Sequence, residues 1–211
     1  MRVFVTGATG LIGRALSRSL LADGHEVVAL SRRPEPAGLP SSARLVVGDP
    51  AVAGPWQEEL ARCDACVNLA GEPVAEGRWT PDRKRAIRDS RVEATARVAE
   101  VIAGGGPSVL VSGSAIGFYG SRGDEVLDEG STAGDDFLAR VCVEWEAAAQ
   151  RAERRAREEA ARAAREAEEA RRRAEEAKRR RVEAEAGKTL AEGLAKTRGG
   201  FMARLDGLLG S

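Results

Sequence analysis

Three glycines near the amino terminus have the spacing of a phosphate-binding turn. Residues 6–13 read TGATGLIG, directly after a β-branched run and directly before a helical pattern. Gly7 permits a tight turn, Gly10 lets the backbone approach a diphosphate, and Gly13 lets helix and strand pack closely. Free N–H groups at the helix start would face the anion, although a purely structural turn is the alternative. The predicted cradle comprises Gly7, Thr9, Gly10, Leu11, Ile12 and Gly13.

A turn of this kind binds the diphosphate of a dinucleotide, and the residues at the end of the second predicted strand indicate which dinucleotide is favoured. An NAD site favours a carboxylate there, to accept hydrogen bonds from the ribose hydroxyls. This chain has Ser31, Arg32 and Arg33 instead. Guanidinium groups suit a 2′-phosphate through charge-assisted hydrogen bonds, so the sequence favours NADP(H), with NAD possible. Alternatively, the two arginines are ordinary solvated loop charges.

The elements that would position these residues alternate between strands and helices. Short β-branched runs separated by helical patterns predict an α/β fold with a Rossmann-type, doubly wound parallel sheet of about five strands. The predicted strands are 3–5, 26–30, 44–47, 65–69 and 108–111, with a long helix at about 81–102 and a final helix from about 135.

Composition and charge indicate which classes of binding partner and which location we expect for this protein. The 33 basic and 33 acidic residues cancel, which gives no general case for nucleic-acid binding. The sequence contains no apolar run of 18 residues and no signal-peptide pattern, so we expect a cytoplasmic protein. Cys63 and Cys66 have C-x-x-C spacing but no second ligand pair, so we expect buried thiols and no metal site. Trp56, Trp79 and Trp145 are expected to be packing anchors.

The last third of the chain has a different composition. Residues 151–186 are almost entirely Ala, Arg and Glu, with charge pairs such as Glu158 with Arg162 and Glu175 with Arg179. This predicts a long charged single helix, and a weak coiled coil along its alanines is the alternative. Residues 187–211 predict a short amphipathic helical tail, interrupted at Gly199-Gly200. The predicted domains are therefore 1–150, 151–186 and 187–211.

Residues 1–150 resemble extended short-chain dehydrogenases. The resemblance rests on GATGLIG, Asp49, NLAG at 68–71 and SGSAIGFYG at 112–120. GEPVAEGRWTPDRKRAIRDSRVEAT and FLARVCVEWEAAA narrow it to an atypical NAD-dependent epimerase/dehydratase branch, often labelled nucleoside-diphosphate-sugar epimerase. The resemblance implies that Asp49 lies near the adenine amino group and that Ala70 and Gly71 line the cofactor groove. It also implies that Ser114 faces an unknown small-molecule substrate with Tyr119 nearby, and these two are the candidate catalytic residues.

Two departures from that family bear on activity. The family's usual Tyr-x-x-x-Lys pair is missing from the helix that reads Phe137-Leu138-Ala139-Arg140-Val141-Cys142. The charged helix also begins where a sixth strand and a substrate domain are expected. The sequence therefore predicts a truncated, catalytically incomplete domain.

The tail supports a second hypothesis. GLAKTRGGFMARLDGLL resembles the start of the GTPase module of the bacterial signal recognition particle receptor. With Phe201, Leu205, Leu208 and Leu209 near basic residues, the tail would bind a partner helix or an anionic lipid surface, peripheral to the inner membrane. The chain would then be a membrane- or partner-targeting protein. The chain thus resembles the first parts of two unrelated families, which would also fit a gene fusion, a frameshift or a gene-prediction error.

Overall fold

A five-stranded parallel sheet forms the centre of the amino-terminal unit, as the sequence predicts. The computed structural model describes the backbone of residues 1–209 and their side chains, apart from those of residues 152, 156, 159, 186 and 199–209. The strands are β1 (Arg2–Thr6), β2 (Glu26–Ser31), β3 (Arg44–Val47), β4 (Ala65–Asn68) and β5 (Val109–Ser112). Their order is β3-β2-β1-β4-β5, with every neighbouring pair parallel. The connection changes direction between β1 and β4, and open α/β sheets bind their ligands at such a switch point.

Three helices lie between the strands, and a short 3-10 helix and a long helix follow β5. They are α1 (Leu11–Ala22), α2 (Trp56–Ala61), α3 (Pro81–Ala103), the 3-10 helix Ile116–Tyr119 and α4 (Phe137–Leu209). The hydroxyl of Thr80 accepts a hydrogen bond from the N–H of Arg83 and so caps α3, while the Asp136 carboxylate accepts one from the N–H of Ala139 at the start of α4. The sequence analysis assigned neither α2 nor the 3-10 helix, because both are too short for a periodic pattern to reveal them.

The two faces of the sheet bury different sets of side chains. Phe4 and Trp56 stack on one face with ring centroids 6.1 Å apart, whereas Val3 and Val5 point to the other. This alternation follows from the period of two residues along a strand. The first face is the larger cluster, formed by Phe4, Val28, Leu30, Trp56, Leu60, Cys63, Cys66 and Val98.

The cysteines and tryptophans largely occupy the places predicted for them. Cys63, Cys66 and Cys142 are free and buried. Burial raises the pKa of Cys63 to about 11 and raises those of Cys66 and Cys142 as well. Trp56 and Trp145 are buried packing residues, whereas Trp79 is partly exposed and packs edge-to-face on Phe137.

Residues 1–159 and 160–211 form two units, and the second is entirely helical where it is described. Ion pairs four residues apart occur along this helix, but the predicted partners Glu158 for Arg162 and Glu175 for Arg179 are wrong. Arg162 pairs with Glu166 and Arg179 with Glu183, four residues ahead of each arginine. The described side chains from Ala160 onward are exposed, and the coiled-coil alternative stays a prediction.

The structure tests the prediction for the backbone of the tail but not the prediction for its side chains. Helix α4 continues to Leu209, so the interruption predicted at Gly199-Gly200 is wrong. The apolar side chains predicted to form the face of the tail (Phe201, Leu205, Leu208 and Leu209) lie outside the described residues. Within the described chain, no helix has the length and apolar character needed to cross a bilayer.

Strand β5 forms one edge of the sheet. Among the described residues it pairs with β4 alone. Val109 and Val111, on the same face of the strand, are about half exposed. Within the described chain, this edge of the sheet is therefore uncovered by another strand.

Candidate functional site

A cleft of about 180 Å³ lies at the carboxyl edge of the sheet, between the ends of β1, β2 and β4. Eight of the predicted cofactor residues line it. The lining residues are Gly7, Thr9, Gly10, Leu30, Ser31, Arg32, Asp49, Pro50, Leu69, Ala70, Gly71, Glu72 and Ser90. Topology thus brings together segments that are far apart in sequence.

Gly7 and Gly13 are required by the backbone of the turn. Gly7 has a φ of +66°, and a Cβ there would lie 2.5 Å from the carbonyl oxygen of Leu69. A Cβ on Gly13 would overlap the carbonyl oxygen of Gly7 and lie 2.7 Å from the Cα of Ala8. These glycines therefore hold β1, α1 and the loop after β4 in close contact.

Gly10 differs from the other two, since its own backbone does not require glycine. Its φ is −77° and its ψ is 176°, which any residue adopts, and a Cβ there would lie 3.3 Å from the Gly7 carbonyl oxygen. It is exposed and lines the cleft. The absence of a side chain at Gly10 therefore keeps the cleft open at the start of α1.

The first turn of α1 presents its backbone donors there. Gly10 is the N-cap, and no side chain caps the helix. The first N–H groups of a helix have no intrahelical acceptor, and those of Leu11 and Ile12 are among them. Their side chains are exposed and do not line the cleft, so their predicted role would depend on the backbone alone. These donors and the helix dipole favour an anion.

A buried polar network, which the sequence analysis missed, fixes the wall opposite the turn. The hydroxyl of Thr6 donates to Asn68 Oδ1 at 2.6 Å and accepts the N–H groups of Leu69 and Ala70, both at 3.1 Å. Asn68 Nδ2 donates to Thr95 Oγ1 of α3 at 2.7 Å. The three polar side chains are fully buried. The network thus sets the position of the loop after β4, and polar residues at two neighbouring strand ends were its only signal.

The residues after β2 separate into different environments. Ser31 is buried, and its hydroxyl accepts the N–H of Arg33 at 3.0 Å. The guanidinium of Arg32 lines the cleft and pairs with Glu72 at 2.9 Å. Arg33 is exposed and is not among the lining residues. The structure therefore brings one of the two predicted arginines to the cleft.

Asp49, Ala70 and Gly71 line the cleft as well. The Asp49 carboxylate accepts the N–H of Ala51 at 2.9 Å. A Cβ on Gly71 would lie 2.9 Å from the guanidinium carbon of Arg91. Arg91 in turn lies over the Trp145 ring, 5.5 Å from its centroid, and burial lowers its pKa. These contacts fix α3 against the start of α4.

The two candidate catalytic residues lie beyond β5, outside the cleft lining. Ser114 is exposed, and its hydroxyl donates to Glu146 Oε1 of α4 at 2.5 Å. Tyr119 ends the 3-10 helix and packs edge-to-face on Phe118. Among the described residues, no hydrogen bond links the hydroxyls of Ser114 and Tyr119. The sequence analysis did not foresee Glu146 as the partner of Ser114, because 32 residues separate them.

Comparison with known proteins accounts for the same part of the chain. The model of the NAD dependent epimerase/dehydratase family matches residues 3–162. The chloroplastic epimerase family protein SDR39U1 homolog of Arabidopsis thaliana is 41% identical over 165 residues, covering 74% of this chain and 46% of that protein. The chain spans about half the length of the curated relatives it matches. The match ends at residue 162, and the resemblance of the tail to the signal recognition particle receptor stays a prediction.

Solved structures match over a similar range. A nucleoside-diphosphate sugar epimerase from Corynebacterium glutamicum is 40% identical with a TM-score of 0.61, covering 74% of this chain and 31% of that one. The human epimerase family protein SDR39U1, solved with NADPH, is 35% identical with a TM-score of 0.57, covering 71% of this chain and 48% of that one.

Proposed function

The chain belongs to the NAD dependent epimerase/dehydratase family, and we propose that its amino-terminal unit binds NADP(H) in the cleft at the start of α1. The observation that carries the proposal is Gly10. Its backbone conformation does not need glycine, yet a side chain there would fill the space next to the free N–H groups of α1. A diphosphate is the ligand that such a site accommodates.

The residues around the cleft suit the rest of a dinucleotide. The N–H groups of the α1 turn would hold the diphosphate, and Arg32 would bind the 2′-phosphate of the adenosine ribose. Asp49 would accept a hydrogen bond from the adenine amino group. Ala70 and Gly71 would form the wall on the β4 side, held by the Thr6–Asn68 network. The human relative was solved with NADPH, which supports this assignment.

When bound, the nicotinamide ring supplies hydride transfer. In this chain, Ser114 would hydrogen-bond a substrate hydroxyl, and its hydroxyl proton is directed to the Glu146 carboxylate. Tyr119 is the second candidate for proton transfer. The name of the bacterial relative points to a nucleoside-diphosphate sugar as the substrate class. The chain covers about half the length of its relatives, and we propose cofactor binding without a complete catalytic site, as the missing Tyr-x-x-x-Lys pair implies.

Titration of the full chain with NADPH and NADH tests the proposal. We expect saturable binding of both by calorimetry, with NADPH the tighter ligand. Arg32→Ala should weaken NADPH binding about tenfold or more, since a charge-assisted hydrogen bond contributes about 1.5–3 kcal/mol. NADH binding should change less, since NADH lacks the phosphate.

Arg33→Ala provides the matched comparison. It removes the same charge from a neighbouring residue that does not line the cleft, so we expect a smaller effect on NADPH. Absence of binding of either nucleotide at millimolar concentration would contradict the proposed function. If the two substitutions weaken NADPH binding equally, the proposed role of Arg32 is wrong, whereas the proposed binding of the dinucleotide stands.

A further inference from the structure

A carboxylate faces the predicted phosphate-binding arginine across the cleft. Glu72 follows β4, whereas Arg32 follows β2, and 40 residues separate them in sequence. Glu72 Oε1 lies 2.9 Å from Arg32 Nη1, and both residues line the cleft. The ion pair therefore lies at the place where the ribose end of a dinucleotide would be recognised.

Glu72 is held from the side away from Arg32. Its second oxygen, Oε2, accepts a hydrogen bond from Arg83 Nη1 of α3 at 3.2 Å. Its backbone N–H donates to Ser90 Oγ at 3.0 Å, and Arg83 also donates to the carbonyl of Pro73. α3 thus fixes both the carboxylate and the loop that carries it.

The two arginines that contact Glu72 differ in exposure. The Arg83 side chain is 22% exposed and that of Arg32 is 64% exposed. An exposed ion pair contributes little to stability, so Arg32 can exchange Glu72 for a stronger anionic partner at small cost. Arg83 keeps its hydrogen bonds to Glu72 and Pro73 when that exchange occurs.

We propose that Glu72 sets the balance between NADP and NAD in this cleft, an inference that rests on the proposed dinucleotide binding. The 2′-phosphate competes with the Glu72 carboxylate for the Arg32 guanidinium and lies next to a negative charge that Arg83 holds in place. NAD carries a 2′-hydroxyl instead, which donates a hydrogen bond to the same carboxylate. Glu72 therefore supplies, from the loop after β4, the carboxylate that is missing at the end of β2.

The ionisation of Glu72 is consistent with this role. Partial burial raises its pKa, but hydrogen bonds and charge from Arg32 and Arg83 outweigh burial, so the net pKa lies below the ordinary value. The carboxylate is thus charged at neutral pH. A charged group repels a phosphate and accepts a hydroxyl hydrogen bond more strongly than a neutral one does.

Glu72→Gln in the full chain tests the inference, with Glu76→Gln as the matched control. Glu76 lies in the same loop, is exposed and does not line the cleft, and its substitution changes the net charge equally. We expect Glu72→Gln to raise the affinity for NADPH about threefold and to leave the affinity for NADH unchanged or lower. Glu76→Gln should change neither.

Glu72→Asp supplies a second variant that retains the charge but draws it back by one methylene. It should raise the NADPH affinity less than Glu72→Gln does. A ratio of NADPH to NADH affinity that stays within twofold of the parent in both Glu72 variants would overturn the inference, while dinucleotide binding itself would stand. If the parent binds neither nucleotide, both the inference and the proposed function fail.

Discussion

The substitution Gly10→Ala tests whether the glycine-rich turn needs glycine at this position for folding or for binding the dinucleotide. The φ of −77° suits alanine, and the added Cβ would lie 3.3 Å from the Gly7 carbonyl oxygen, a tight but adjustable contact. The structural cost is mainly that alanine is a poorer N-cap than glycine, about 0.5–1 kcal/mol. A domain of this size would lose about 1–4 °C in Tm.

The effect on binding should be much larger. The methyl group would project next to the free N–H groups at the start of α1 and hold a diphosphate away from them. Loss of about one charge-assisted hydrogen bond corresponds to about 1.5–3 kcal/mol. We therefore expect the Kd for NADPH to rise about 10- to 100-fold.

Two glycines provide matched controls. Gly104 is the C-cap of α3 with a φ of −78°, and a Cβ there would meet nothing closer than 3.6 Å. Gly104→Ala should therefore change neither Tm nor Kd much. Gly13→Ala places a Cβ on the backbone of Gly7 and Ala8, and should lower Tm by about 6–12 °C through a cost of about 3 kcal/mol.

The assay is calorimetric titration with NADPH, together with thermal unfolding of each variant without ligand. The reasoning is refuted if Gly10→Ala binds NADPH with a Kd within twofold of the parent. It is also refuted if Gly10→Ala lowers Tm as much as Gly13→Ala, because the binding loss would then reflect unfolding.

Two further predictions concern groups buried near the sheet. Thr95→Val removes the acceptor of Asn68 Nδ2 with little change of shape, so it should reduce the free energy of unfolding by about 1–3 kcal/mol in denaturant titrations, whereas Thr132→Val, at an exposed threonine, should not. The raised pKa of Cys63, about 11, and the burial of Cys66 keep both thiols protonated at pH 8, so iodoacetamide should label them slowly in the native protein and rapidly in urea; equal rates in both conditions would show that these thiols are not buried.

The strands could be predicted from sequence because they are short apolar runs between turn residues, most of them rich in β-branched residues. β3 was predicted at its observed bounds, and the others differed by one or two residues. The glycine-rich turn could also be predicted, because this glycine pattern is specific for a phosphate-binding turn when it follows a strand and precedes a helix. The sequence did not distinguish Gly10 from Gly7 and Gly13, whose different requirements depend on neighbouring backbone.

The contacts that refine the site could not be predicted, because long-range packing creates them. Arg32 and Glu72 meet only after β2 and β4 are placed on either side of β1. Ser114 and Glu146 meet only once α4 lies against the loop that follows β5. No local pattern marks such pairs. α2 escaped prediction for a different reason, since six residues are too few to show helical periodicity.

The outermost strand β5 has a practical consequence for every measurement above. On the side away from β4, its backbone N–H and C=O groups have no strand partner in the part of the chain that the structure describes, and Val109 and Val111 beside them are half exposed. Such an edge is a template on which another extended segment can add. Self-association of this kind depends on protein concentration, whereas the Kd of one protein molecule for its cofactor does not. Titrations repeated over a tenfold range of protein concentration will therefore distinguish cofactor affinity from self-association, and Val111→Lys should suppress only the latter.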